Sequence, residues 1–526
     1  MALLVPALLY VPFIQDFAVS VATKELKKQT GMTIDVGRLR LRFPLRLALD
    51  DVSVVQANAD TMLTASHASA SLKVLPLLKL DLDIESVELD SAFYQLGNAD
   101  SLMWLRARID RGVISGADMS LRQNTINLSR AAIDGADVWL RMLPDTSDVT
   151  PPDTAASTPY LIKAGLITMS KVKYVMNMMP IIDSLGCTID NAALRNATVD
   201  LGSRTIFGQS LRIDSVAAAY IYPDPTLVQA EPADSVATEP PTPDSEMWTI
   251  TADTLRLTGR SALYAQRGVT PLAGFDPSYI AATEIAIEVD SFYNRGTSIT
   301  VPLSKLQATE RCGLPLFAEG LFSMDGKGMT AKKFNIETLR SSLRFDAYMG
   351  MEGSLASVPS LPITLVANGR IDPGDVALAF PDMKALLAPF TPATFSTDID
   401  GTAGLLNIYS LNLSMPSVAR IKANGTIENP FDPVKAGGDI SVDGQLNSLT
   451  DKQLAFLPIA RTPALSLHSD IDYRPGEVSG DLEVTTSGGR VAADGQWTAG
   501  PRTMTPPCAS TTSRWRNSCP TLAWDA

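Results

Sequence analysis

From Gly31 to Leu96 apolar and polar residues alternate in strand-length bursts: Val36, Leu39 and Leu41, then Leu45, Leu47 and Leu49, then Val52 and Val54, and on through Leu72 and Val74 to Leu80, Leu82 and Ile84. A period of two puts successive side chains on opposite faces of a strand, so this pattern predicts sheet with one apolar face. Similar bursts recur almost to the end of the chain. A mostly β fold follows, an elongated, repetitive antiparallel β-sheet, which the alternation alone allows either to curl into an open groove or to close around a filled core. The functional question becomes what the long apolar face is for.

Composition narrows the answer. The 526 residues are 45% hydrophobic but only 6% aromatic, and they carry a net charge of −13. An acidic surface over an aliphatic interior argues against nucleic-acid binding. It also argues against broad electrostatic adhesion to anionic membranes, which leaves the apolar face as the route to lipid. The four cysteines, Cys187, Cys312, Cys508 and Cys519, form no metal-type pair and no disulfide framework.

The chain divides by pattern into five stretches. Residues 1–30 combine an uncharged apolar run, Ala2 to Ile14, with a short helical pattern through Phe17, Ala18 and Val21 that Gly31 ends. The apolar run is shorter than the roughly 20 residues a span needs, and reads as a clipped membrane anchor or as a buried core segment. Residues 31–222 form a first β region with a disordered loop near 144–159. Residues 223–246 form an acidic Pro-rich linker, and like 144–159 they lack Lys and Arg. Residues 247–497 continue the repetitive β pattern. From 498 to 526 the alternation is lost, and this atypical tail reads as frameshifted sequence or as a disordered end.

Along the chain a motif recurs that reads as strand, tight turn, strand: VELDSAFY from Val87, VISGADMSL from Val113, AAIDGADVWL from Ala131 and LRLTGRSALY from Leu255. Ser115-Gly116, Asp134-Gly135 and Thr258-Gly259 supply turn chemistry. Strands of about 10 to 12 residues follow from that reading. The units between Leu361 and Trp497 read likewise, with strands flanking Gly-centred turns. Short helical pieces are expected at Pro381 to Phe390 and Asp451 to Leu457.

No catalytic constellation interrupts the pattern. His67 falls on the polar parity of its strand and His468 is also out of phase with the apolar positions, so both read as surface residues. Asp50-Asp51 and Asp81, Asp83 and Glu85 alternate with apolar residues as a solvated face does. The basic cluster GRLRLR from Gly37 with Arg46 reads as a solvated strand face, with lipid headgroups as the alternative contact. Met176, Met178 and Met179 read as core or groove lining. No metal, cofactor or catalytic residue is expected.

The stretch TGMTIDVGRLRLRFPLRLALDDVSVVQANADTMLTASHASASLKVLPLLKLDLDIESVELDSAFY resembles the N-terminal region of AsmA-like proteins, and among them the TamB (translocation and assembly module) branch of Gram-negative bacteria. The shared features are the order of its pieces: the "TG" start, the "VGRLRL" and "LALDDVSV" strands, and "LDIESVELD". ANGTIENPFDP and GDLEVTT resemble the family's repetitive β region. The resemblance implies a single-span inner-membrane anchor, with the bulk in the periplasm as a half-pipe, or taco-like, β-sheet. It implies carriage of phospholipids toward the outer membrane, without catalysis, and an outer-membrane β-barrel assembly protein as partner. Leu72, Val74, Leu80, Leu82 and Ile84 are then expected to line the groove against phospholipid acyl chains. The alternative from the residues alone is a structural β-solenoid adhesin or passenger-type surface protein with a filled interior.

Overall fold

The computed structural model describes residues 32–498 except 43–45, 57–60, 74–80, 99, 121–122, 144–159, 179–181, 224–246, 352–359, 417, 431, 433, 449 and 451–463. The anchor and helix expected over 1–30, the helix expected over 451–457 and all but the first residue of the 498–526 tail lie outside the described residues. Nearly everything described is strand. The chain forms two compact units, Met1–Phe317 and Ala318–Ala526.

The first unit is a ladder of consecutive strands: β1 (Thr33–Arg42), β2 (Arg46–Val55), β3 (Thr61–Leu72), β4 (Asp81–Leu96), β5 (Met103–Ser120), β6 (Thr125–Met142), β7 (Leu161–Met178), β8 (Ile182–Asp200), β9 (Thr205–Tyr222), β10 (Thr249–Gln266), β11 (Tyr279–Arg295) and β12 (Ser298–Glu310). Each pairs antiparallel with the next except β6 with β7 and β9 with β10, which are parallel. A parallel pair needs a connection that returns along the whole strand. The two acidic Pro-rich segments, 144–159 and 224–246, fall in those two connections, so their length follows from topology.

Register turns the alternation into continuous apolar rows. One row runs Leu41, Leu47, Ala70, Val87, Ile114, Ala131, Ile167, Leu194, Leu211, Leu255, Val289, Leu303, one residue from each of the twelve strands. A second, from Leu39 through Leu89, Ile133 and Ile213 to Leu306, runs parallel to it with only aliphatic residues, methionine and glycine. At a strand spacing of about 4.8 Å, twelve strands make such a row roughly 50 Å long.

The motifs expected to be hairpin turns are not turns. Ser115-Gly116 lies inside β5, Asp134-Gly135 inside β6 and Thr258-Gly259 inside β10, and the unit's longest strands run to 18 or 19 residues. At these places the step between apolar residues lengthens from two to three, and two consecutive residues, both polar or one polar and one glycine, stand between them: Asp50-Asp51, Asp90-Ser91, Asp134-Gly135, Ser170-Lys171 and Asp214-Ser215 along one line across the sheet. The second member of each pair has a positive φ, from 47° at Ser91 to 71° at Gly135. Short polar residues and glycine tolerate that conformation best. Ser115-Gly116 and Arg195-Asn196 belong to a second line, with positive φ at Gly116 and Asn196. Two residues on the polar face lengthen the path there and bend each strand toward its apolar face, as a β-bulge does. The rows beside the bends carry small buried residues, Ala65, Ala92 and Ala192 at the first and Ala117, Ala164 and Ala197 at the second. Small side chains are what a concave corner admits. The first unit is therefore a creased, open trough with its apolar face inward.

The second unit is a ladder of shorter strands: β14 (Gly328–Glu337), β15 (Ser342–Gly350), β16 (Pro362–Ile371), β17 (Ala393–Thr402), β18 (Leu405–Met415), β19 (Ala419–Glu428), β20 (Gly437–Leu446), β21 (Leu465–Arg474), β22 (Glu477–Thr486) and β23 (Gly489–Thr498), each antiparallel to the next. β13 (Pro315–Met324) lies at the division between the units. Of the Gly-centred turns expected in these units, Gly369 and Gly425 again sit inside strands, whereas Ser487-Gly488 forms the turn between β22 and β23. Between β16 and β17 the chain forms α1 (Pro373–Ala379), a 3-10 turn at Pro381–Met383 and α2 (Lys384–Leu387). The sequence pattern anticipated the second helical piece and missed α1.

The crease makes a stability prediction. A Cβ on Gly135 would stand 2.3 Å from Asp110 Oδ2 and 2.9 Å from Asp110 Cβ at a φ of +71°. Gly135→Val should lower the urea unfolding midpoint by an amount equivalent to about 1–3 kcal/mol. Gly326→Ala, in open space, serves as the control and should leave the midpoint unmoved.

Candidate functional site

The trough face is the candidate site, and its expected lining residues divide as follows. Leu72 and Ile84 are Cα partners across β3 and β4, and both are half-buried on the apolar face. Their row continues through Ala117, Leu128, Ala164, Ala197, Gly208 and Ala252. Leu82 pairs with Met119 in the next row, a placement of backbone register alone. Val74 and Leu80 lie outside the described residues. Far more of the lining comes from β5 to β11 than from the stretch the sequence reading singled out, because each later strand repeats the same two-two-three stepping.

No helix or second sheet packs on this face among the described residues, and no large side chain there is less than 2% exposed. Hydrophobic stabilisation of a single layer is confined to same-face neighbours. The lining therefore keeps much of its apolar surface open.

The opposite face is polar, and His67 sits on it as the parity predicts. His67 Nδ1 donates to Asp50 Oδ1 at 2.7 Å, and Arg40 Nη2 pairs with Asp50 Oδ2. The hydrogen bond from His67, with Arg40 adding to it against partial burial, holds the Asp50 carboxyl below its ordinary value. Lys73 Nζ donates to Asp83 at 2.9 Å. Further along the same crease Asp134 accepts from Ser170 Oγ at 2.7 Å and faces Lys171 at 3.4 Å. These pairs are cross-strand contacts that hold register.

Two clusters in the second unit were not legible beforehand. His468 Nδ1 donates to Asp443 Oδ1 at 2.8 Å, while Nε2 lies 3.5 Å from Asp470 Oδ2. His468, Asp470 and Asp481 each offer a donor atom, all within 4.8 Å of one another, which is the donor set of a divalent cation with a carboxylate orienting the imidazole. They come from two strands, and only the register that opposes Asp470 to Asp481 unites them. All three are open to solvent or half so. The other cluster is structural: Asp375 on α1, 4% exposed, accepts at Oδ2 from Thr338 Oγ1 (2.6 Å), Ser341 Oγ (2.8 Å) and Arg340 N (2.9 Å). Burial opposes its ionisation, but these hydrogen bonds outweigh it and the carboxyl stays below its ordinary value. The helical insertion is thereby tied to the turn between β14 and β15.

A scan against protein-family models and a search of curated proteins both find no match to this chain.

Titration checks the polar face. The Asp443 hydrogen bond raises the His468 imidazole above its ordinary 6.5, with Asp470 reinforcing it against desolvation. A raised folded value means stability fully present below 6.5 and lost as the pH climbs through the raised value. Asp50 runs the other way, its contribution present above the ordinary carboxylate range and lost as the pH falls through the lowered value. Asp443→Asn should return the His468 C2–H titration in an NMR spectrum toward 6.5. An unchanged midpoint would mean that Asp443 does not hold the ring.

Proposed function

We propose that this protein is a membrane-anchored periplasmic groove protein that holds phospholipid acyl chains along its apolar trough and conducts them toward the outer membrane. The observation that carries the reading is the set of apolar rows, continuous across twelve strands and uncovered by any second layer among the described residues. Moving an acyl chain through water costs about 0.8 kcal/mol per exposed CH₂. A trough removes most of that barrier by solvation alone, so the proposal assigns no catalysis and no cofactor.

The inner-membrane anchor, the outer-membrane β-barrel assembly partner and the role in outer-membrane biogenesis come from the resemblance to the TamB branch and stand as part of the proposal. Among the described residues no helix is long and apolar enough to cross a membrane. The adhesin reading asks for a closed solenoid whose inward side chains are fully buried. The open ladder and the half-exposed lining favour the trough over it.

Lipid extraction and mass spectrometry of the purified protein test the proposal. Phospholipid should co-purify with the wild type. Ile114→Asp with Leu194→Asp, two members of the central row, should lower the bound amount at least tenfold, about 1.4 kcal/mol, with the β-sheet circular dichroism retained. A wild type free of lipid, or a folded variant that keeps it, overturns the reading.

A further inference from the structure

One end of the trough wall carries a feature that the groove does not use. Where β4 ends, β5 begins and β6 ends, Leu143 N donates to Leu102 O at 2.8 Å, which sets the two leucines side by side at the lip. Leu102, Met103 and Leu143 are 47%, 43% and 40% exposed there. Behind them on the outer, polar face stands an aromatic and basic patch. Trp104 is the Cα partner of Arg141 and Trp139 of Arg106, so the two tryptophans sit on a diagonal with an arginine beside each. The indole rings meet edge to face at 4.9 Å. The guanidinium carbons of Arg106 and Arg141 lie 5.6 Å and 5.3 Å from the Trp104 centroid. Trp104 Nε1 is buried from water with no hydrogen-bond partner.

We infer that this lip is a docking surface for an anionic phospholipid bilayer. Single exposed apolar residues are ordinary on a protein surface, but three large ones at one tip, backed by indoles and guanidinia, match the layers of a membrane interface in order. Leucine and methionine reach the acyl boundary, tryptophan settles at headgroup depth and arginine meets phosphate. Charge complementarity is local and rests on Arg106 and Arg141, which flank the indoles: the chain as a whole carries −13, and Arg108 on the same corner pairs with Asp110 at 3.4 Å and has Asp137 as its Cα partner. An acidic protein partner would use the arginines and leave the projecting aliphatic tip uncovered, so the bilayer is the occupant that accounts for both. The inference is independent of what the trough carries, because none of these side chains except Met103 belongs to the apolar rows.

Co-sedimentation of the full chain with vesicles tests it, using phosphatidylglycerol mixed with phosphatidylcholine against phosphatidylcholine alone. The wild type should pellet with the anionic vesicles, and less as salt is raised. Leu102→Ser with Leu143→Ser, and separately Arg106→Gln with Arg141→Gln, should each reduce the bound fraction about tenfold or more while circular dichroism and unfolding midpoint stay at the wild-type values. The trough variant Ile114→Asp with Leu194→Asp should still pellet, which separates failure of the lip from failure of the groove. A wild type that stays in the supernatant overturns the inference, as does pelleting lost only in the trough variant. Sensitivity to the arginine pair without sensitivity to the leucine pair also overturns it, and points to an acidic macromolecule instead.

Discussion

Backbone hydrogen bonding between neighbouring strands is the constraint on which the rest depends. A single layer has no opposing sheet or helix to bury its apolar face, so nothing but the ladder keeps that face in line. A slip of one residue anywhere would move a strand's whole apolar set to the polar side. The long strands of the first unit resist such a slip in two ways. Each offers many ladder bonds, and each carries bends that fit a neighbour only in one register.

The bends also convert a sheet into a container. A flat sheet of this composition would present a broad exposed apolar plane, an aggregation hazard. Pairs of polar residues at fixed places in the strand tip both of its arms toward the apolar side, and alanines accept the crowding at the corners. The charged contacts along the crease, Asp50 with His67 and Arg40, Asp134 with Ser170 and Lys171, sit on the outer side of the same line. Polarity outside and small apolar residues inside are two consequences of one backbone geometry. The second unit, with strands about ten residues long, pairs by the same rules and adds a helical insertion pinned by the buried Asp375.

Much of this was legible. Val36, Leu39, Leu47, Leu49 and Val52 already announce a sheet with one apolar face, and the parity of His67 already assigns it to the other. What misled was the reading of Ser115-Gly116 and Asp134-Gly135 as hairpin turns. Their chemistry is that of a turn, because a residue with positive φ favours glycine or a short polar side chain whether the chain reverses or merely bends. The signal that separates the cases is the step of three between apolar neighbours, Val36 to Leu39 and Leu49 to Val52 in the first two strands, which preserves sidedness across the interruption. The purpose of the acidic Pro-rich segments was hidden for a related reason, since nothing local says that β6 and β7, or β9 and β10, run parallel.

The sequence by itself determined the class of fold and the sidedness of the strands, because period-two alternation is a local property. Tertiary structure alone decided which residues meet: that Leu72 faces Ile84, that one apolar row threads twelve strands, that Asp470 opposes Asp481, and that Trp104 and Trp139 gather with Arg106 and Arg141 beside an exposed lip. Those relations depend on register between strands tens of residues apart, and register is fixed by the cooperative ladder of the whole sheet.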